Sequence, residues 1–174
     1  MRLGTTVESR SQEGDSIELE EPTLEDAKAI WSLVQEDGVL DPNSSYLYLL
    51  LCRDFSQTCL VAKQADRLIG FVTAYVPPQR SNSIFVWQIA VAPSGRRKGL
   101  AHRMLLHLIE SRLPDEIRFL EATITPSNEP SRRLFHSIAD RLGVPLEVHS
   151  GFSSECFPQH HEDEELVRIG PFSA

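Results

Sequence analysis

The chain has 174 residues, 41% of them hydrophobic and 24% charged, with a formal net charge of −8. That length can bury a core as one unit, and the acidic balance argues against nucleic acid as the main partner. No apolar run approaches the ~20 residues of a membrane span, and the N-terminus lacks the apolar centre of a signal peptide. The three cysteines (Cys52, Cys59, Cys156) cannot all pair and none sits in a CxxC, which fits a reduced, cytoplasmic setting.

Residues 1–15 read as a polar tail, and residues 16–174 as a single domain without repeats or linker. Ser16 to Glu21 is a first strand. A helix follows, with Thr23 as its N-cap, Asp26 three residues on in a near capping box, and Ala27, Ile30, Trp31 and Val34 as its apolar stripe. Gly38 stops it. A turn, Asp41-Pro42-Asn43-Ser44, leads into a second helix, Ser45 to Asp54, with Tyr46, Leu47, Leu50 and Leu51 as its apolar residues. Gln57 to Lys63 and Arg67 to Val76 form a hairpin around Gln64-Ala65-Asp66, and Pro77 to Asn82 turns the chain into the central strand.

That strand, Phe85 to Val91, alternates so that Phe85, Trp87, Ile89 and Val91 share a face. Pro93 ends it, a cationic loop Ser94-Gly95-Arg96-Arg97-Lys98-Gly99 follows, and then a helix with Ala101, Met104, Leu105, Leu108 and Ile109 at i, i+3, i+4, i+7 and i+8. After Pro114, Ile117 to Thr125 is a strand. Asn128 caps a helix bearing Leu134, Phe135, Ile138 and Leu142, which Gly143 closes. Val144 to Ser150 and Glu165 to Ile169 are strands around an irregular loop, Gly151 to Glu164.

Strand, basic glycine loop and helix together make an anion site: the first amides of a helix lack internal partners at the positive end of its dipole. Gly99 lets backbone approach a ligand, and Arg96, Arg97 and Lys98 add charged donors. The loop is neither a Walker loop nor a dinucleotide fingerprint. Read from Arg96 it is Arg-x-x-Gly-x-Ala, which resembles the coenzyme A signature (Gln or Arg, x-x-Gly-x, Gly or Ala) of the GCN5-related N-acetyltransferases. Asn128 to Phe135 is similar to that family's second motif, in which an asparagine opens a helix along the coenzyme. The resemblance implies an α/β fold with a mixed central sheet of about seven strands flanked by about four helices. It also implies acetyl-CoA as co-substrate and coenzyme contacts from Ile89, Ala90, Val91, Arg96, Arg97, Lys98, Gly99, Leu100, Ala101 and Asn128. Asn128 also reads as a plain helix cap. Many relatives place a tyrosine acid where this chain has Phe135, which has no proton to give and reads as core.

The chemistry implied is acyl transfer from a thioester to an amine. The amine must lose a proton, which a carboxylate or a water held by one can take, while amides around Ile89 to Val91 can meet the oxyanion. No base adjoins any cysteine, so direct transfer is expected rather than a covalent intermediate. The blocks Val39 to Tyr46, Leu49 to Cys52, Phe85 to Val91, Glu121 to Pro126 and His161 to Pro171 together resemble the L-2,4-diaminobutyrate acetyltransferases of ectoine synthesis. This implies acetylation of the γ-amino group of diaminobutyrate for osmoadaptation, by a homodimer. An acidic surface suits such a cationic substrate.

A diamino acid needs acceptors for its ammonium groups. Asp41 and Glu162 are the candidate catalytic carboxylates, and Asp41, Tyr46, Trp87 and Glu162 the candidate substrate contacts. Asp41 either holds an ammonium or shapes the turn before Pro42. Trp87 either walls the pocket or lies in the core. Glu162 either meets the substrate or belongs to a solvated run with His160, His161 and Asp163 to Glu165. Adjacent histidines in one loop do not make a metal site, so no metal is expected. Acetylation of another amine (a polyamine or a protein N-terminus) and a non-catalytic acetyl-CoA-binding module are the remaining readings.

Overall fold

A computed structural model of the protein describes residues 16–38, 40, 42–111, 113–114 and 116–172. The expected N-terminal tail, Val39 and the candidate Asp41 lie outside the described residues. Seven strands form one sheet: β1 (Ile17–Glu20), β2 (Leu60–Gln64), β3 (Arg67–Tyr75), β4 (Ser83–Val91), β5 (Phe119–Ile124), β6 (Leu146–Ser150) and β7 (Glu165–Ile169). Their spatial order is β1-β2-β3-β4-β5-β7-β6, antiparallel throughout except for the parallel pair β4–β5. Four α-helices complete it: α1 (Asp26–Asp37), α2 (Ser45–Asp54), α3 (Leu100–Ser111) and α4 (Glu129–Leu142).

The helices lie on both faces of the sheet. A Cβ at Gly70 would meet Met104 of α3, whereas Tyr48 of α2 bonds to Gln88. Gly70 pairs with Val91, three residues from Gln88 along an alternating strand, so α3 and α2 cover opposite faces. Helix α4 packs beside α3, on β6 and β7, and α1 beside α2. Between these layers the buried apolar side chains form one cluster, with Leu60, Phe71, Ile84, Met104, Leu105, Leu108, Leu120 and Ile138 fully enclosed.

Several elements begin or end elsewhere than the sequence pattern suggests. Helix α1 starts at Asp26, and the expected cap runs in reverse: the Thr23 amide and hydroxyl both donate to the Asp26 carboxylate, at 2.8 and 3.0 Å. Ser56–Thr58 is a 3-10 turn rather than strand, because the Thr58 hydroxyl is held by the carbonyls of Phe55 and Ala74. The strand expected from Val144 starts at Leu146, since the Val144 amide still bonds back to Ala139 and Pro145 has no amide to give. Helix α2 buries Tyr48, Leu51 and Cys52, leaving Tyr46 on the outside. In the β2–β3 turn Ala65 and Asp66 both take positive φ, the backbone of a two-residue type I′ hairpin.

Asp26 also fixes α1 to the sheet. It is buried, which would raise its pKa, but the Thr23 donors and the Lys63 ammonium at 2.9 Å more than offset this and hold it below its ordinary value of 3.8. A depressed carboxylate stabilises the fold above its unfolded pKa and loses that contribution as pH falls through the folded one. Asp26→Asn is therefore expected to cost about 1–3 kcal/mol at neutral pH, and the gap to wild type should close as the pH drops below the ordinary value. Urea unfolding at pH 7 and at pH 3 checks this; an equal gap at both would refute it.

Candidate active site

The sheet opens where β4 and β5 part. They pair only at Ser83–Phe119, Ile84–Leu120 and Phe85–Glu121, although β4 continues to Val91 and β5 to Ile124. Past Phe85 one edge of β4 therefore borders a gap. Alternate backbone groups of a strand point to opposite edges, so some polar groups of the Trp87 to Val91 stretch face this gap instead of β3. The Phe85–Glu121 vertex is reinforced by charge. Glu121, 1% exposed, accepts from the Ser83 hydroxyl at 3.1 Å and Arg80 Nε at 2.9 Å, with Arg168 Nε at 3.4 Å.

A β-bulge sits at the opening. Thr73 pairs with Gln88 but Ala74 with Val86, so Trp87 is the extra residue. This corrects the expected face-sharing of Phe85, Trp87, Ile89 and Val91. Trp87 and Phe85 turn to the α2 side, where both rings lie against Tyr75, with centroids at 6.4 and 5.5 Å, and Phe55 extends the row. Ile89 and Val91 turn to the α3 side. Trp87 is 47% exposed, so it is not a core residue.

The bulge also brings Gln88 to the α2 side, where its side-chain oxygen accepts from the buried Tyr48 hydroxyl at 2.8 Å. Burial raises the Tyr48 pKa, against hydrogen bonds with Asn43 and Gln88. Tyr46, in the first turn of α2, is 63% exposed. The sequence reading missed both Tyr48 and Gln88. Its one available signal was a glutamine within an otherwise apolar central strand.

The cationic loop leaves the end of β4 through a 3-10 turn, Pro93–Gly95. Arg97 and Gly99 take φ of +62° and +67°, which turns the backbone sharply before α3. The first α3 amide bonded back along the helix is that of Arg103, to the Gly99 carbonyl, so the amides of Leu100, Ala101 and His102 precede the helical ladder. A Cβ at Gly99 would meet nothing within 4 Å. The space in front of this turn is therefore open. Arg97 and Lys98 are exposed, and the Leu100 side chain is buried in the core, leaving only its backbone to face a ligand. Arg96 donates from Nε to the Val91 carbonyl at 3.0 Å and from Nη2 to Asp37 at 2.5 Å.

The second motif sits at the start of α4. Asn128 caps the helix, its Oδ1 accepting from the Ser131 amide at 3.2 Å, so the cap reading holds and its amide nitrogen remains for another contact. Glu162 is exposed, and its carboxylate accepts from the Ser127 amide at 3.3 Å, which sets it beside this second motif. Phe135 is 2% exposed, in the core as expected. A cleft of about 600 Å³ lies nearby, between β6, Pro126 and the late loop. Its three carboxylates have neighbours: Asp163 accepts from the Ser154 amide and Glu165 from Arg132, and Glu164 lies 3.8 Å from His161 Nε2. Burial pushes the thiols of Cys52 and Cys59 up to about 12 and about 11. Both stay protonated at neutral pH and serve poorly as nucleophiles. Among the described residues no three His, Cys, Asp or Glu gather as a metal site, and no helix is long and apolar enough to cross a membrane.

Comparison with known proteins fits this geometry. The sequence model of the Acetyltransferase (GNAT) family matches residues 20–139. The chain is 46% identical over 160 residues to L-2,4-diaminobutyric acid acetyltransferase of Marinococcus halophilus, covering 91% of this chain and 92% of that protein. It is 44% identical over 163 residues to the enzyme of the same name from Streptomyces avermitilis, covering 91% and 90%. Among solved structures it superposes on diaminobutyrate acetyltransferase EctA from Paenibacillus lautus, in complex with its substrate L-2,4-diaminobutyric acid and coenzyme A. That match has a TM-score of 0.88 at 40% identity and covers 92% of this chain and 98% of that one. A ribosomal-protein-S18-alanine N-acetyltransferase from Escherichia coli (TM-score 0.64, 18% identity, 91% and 96% covered) shares the fold alone. The split seven-stranded sheet, the glycine loop and these matches agree: the chain belongs to the acetyltransferase (GNAT) family, and within it to the L-2,4-diaminobutyric acid acetyltransferases.

Proposed function

We propose that this protein transfers the acetyl group of acetyl-CoA to the γ-amino group of L-2,4-diaminobutyrate, giving N-γ-acetyl-diaminobutyrate for ectoine synthesis. The observation that carries the reading is the gap between β4 and β5, with the Arg96 to Ala101 turn on one side of it and the Trp87 wall on the other. Acetyl-CoA, when bound, supplies a thioester carbonyl. The amides from Gly99 to Ala101 hold its phosphates with Arg96, Arg97 and Lys98, Asn128 steadies it from α4, and amides of Ile89 to Val91 stabilise the oxyanion.

The acceptor enters on the α2 side, between Trp87 and Tyr46, with Asp41 just before α2 in the sequence. Asp41 holds an ammonium there. Glu162, anchored through Ser127 beside the second motif, takes the amine proton directly or through water. An alkyl amine with a reference pKa near ~10.4 is mostly charged at pH 7, so the rate rises with pH as the nucleophile is freed. Transfer is direct, in line with the protonated buried thiols. The protein works in the cytoplasm as a homodimer. Leu49, Phe55 and Phe152 are exposed apolar surface suited to a second copy, and sedimentation tests this.

Trp87→Ala removes the wall and the ring face that meets an ammonium, contributions of about 1–3 kcal/mol. We expect kcat/KM for diaminobutyrate to fall about 10- to 100-fold, with Trp87→Phe recovering most of it; an unchanged value for the alanine variant would remove Trp87 from the site. The function itself is tested by thiol release with acetyl-CoA and a panel of amines. Diaminobutyrate should exceed lysine and putrescine by at least tenfold. No preference among the three would reject the acceptor while leaving the coenzyme.

A further inference from the structure

Helix α1 ends unfavourably. Its last turn carries Glu36 and Asp37 and no basic residue, so two acidic side chains sit at the negative end of the helix dipole. The cation that answers them comes from 59 positions along the chain: Arg96, the first residue of the coenzyme motif, donates to the Asp37 carboxylate at 2.5 Å. Asp37 is only 12% exposed in its side chain and Arg96 49%, so the pair is shielded on the helix side and open on the other. Arg96 is at the same time bonded through Nε to the Val91 carbonyl at the end of β4. Two donors of a rigid planar fork are thereby fixed by a carboxylate and a carbonyl, which sets the orientation of the whole group.

We infer that Asp37 is a positioning residue for the acyl transfer: it holds Arg96 at the mouth of the coenzyme loop and ties that loop to the acceptor side of the β4–β5 gap. The inference rests on the reading of Ser94 to Gly99 as the coenzyme loop. Beyond Asp37 the chain turns at Gly38, in the left-handed region at φ +68°, and reaches α2, whose first turn carries Tyr46. The end of α1 is thus bonded to one ligand's loop and covalently continuous with α2, whose first turn faces the other. Coenzyme phosphates that draw on Arg96 bias the position of Asp37, and an acceptor held at the first turn of α2 biases Arg96 through the end of α1. Coupling of this kind is reciprocal. An acceptor that firms the Asp37–Arg96 tie leaves Arg96 less freedom to lose when phosphate binds, so the coupling is positive.

The test uses coenzyme A, which binds without turnover. Its dissociation constant is measured by calorimetry alone and with saturating L-2,4-diaminobutyrate, in the wild type, Asp37→Asn and Asp37→Glu. Diaminobutyrate should tighten coenzyme A fivefold or more in the wild type, less than twofold in Asp37→Asn, and by an intermediate factor in Asp37→Glu, which keeps the charge. A merely structural role would weaken both ligands without changing their ratio. Arg96→Lys, which keeps the charge but loses the fork, reads the same tie from its other end and should also fall below twofold; it serves if Asp37→Asn unfolds. Equal coupling in the variants and the wild type, or none in the wild type, overturns the inference while single-ligand binding keeps the loop assignment. A wild type that binds no coenzyme A overturns the loop assignment and the inference with it.

Discussion

Gly99→Val should weaken acetyl-CoA binding at least a hundredfold while the fold survives. Gly99 sits at φ +67°, where a side chain costs about 1–2 kcal/mol and a β-branched one more. The protein itself leaves room, since nothing lies within 4 Å of the added Cβ. The side chain would instead occupy the space that the phosphates need, between the loop and the first amides of α3. Gly143 supplies the control. It has φ +65° and equally open surroundings but lies at the far end of α4. Gly143→Val should carry a similar strain with coenzyme affinity unchanged. Calorimetric titration of both variants decides the point, and wild-type affinity in Gly99→Val would remove the coenzyme from this loop.

Phe135→Ala is expected to give the largest loss of stability, about 3–5 kcal/mol, because a fully buried ring leaves a cavity that its neighbours fill only in part. For a chain of this size that lowers Tm by roughly 6–20 °C. Phe135→Tyr asks a chemical question at the same position. If the departing thiol takes its proton from solvent, the added hydroxyl should leave turnover within about twofold. A rise well beyond that would show that proton delivery to the leaving group limits the reaction. Thermal melts and initial rates on the two variants separate packing from catalysis.

Where local pattern governs the structure, the sequence was legible. Helix α2 and strand β7 fall at the expected residues, and the strand–loop–helix unit around Gly99 follows directly from proline, glycine and helical periodicity. What the sequence hid depends on partners far along the chain. The bulge at Trp87 arises from a register shift against β3, and no periodicity within β4 announces it. The same shift explains why four alternating residues do not share a face. Tyr48 is buried rather than Tyr46 because its hydroxyl finds Gln88, 40 residues on. Glu121 is buried within its strand because Arg80, Ser83 and Arg168, from other parts of the chain, gather around it. Asp37 meets Arg96, 59 positions along the chain, a pairing that no local pattern announces.

The candidate site was legible in part. Arg96, Gly99 and Asn128 fall where the motifs put them, Trp87 is exposed beside the gap, and Glu162 lies against the start of α4. Asp41 lies outside the described residues, so the ammonium-binding role proposed for it rests on its place in the sequence between α1 and α2.

The most direct test of the account is the structure of the product. Purified protein, acetyl-CoA and L-2,4-diaminobutyrate should yield one acetylated species. In its proton–carbon correlation spectrum the γ-methylene should couple to the new amide while the α-proton stays next to a free amine. Acetylation at the α-amine, a mixture of both isomers, or coenzyme turnover without acetylated diaminobutyrate would contradict it.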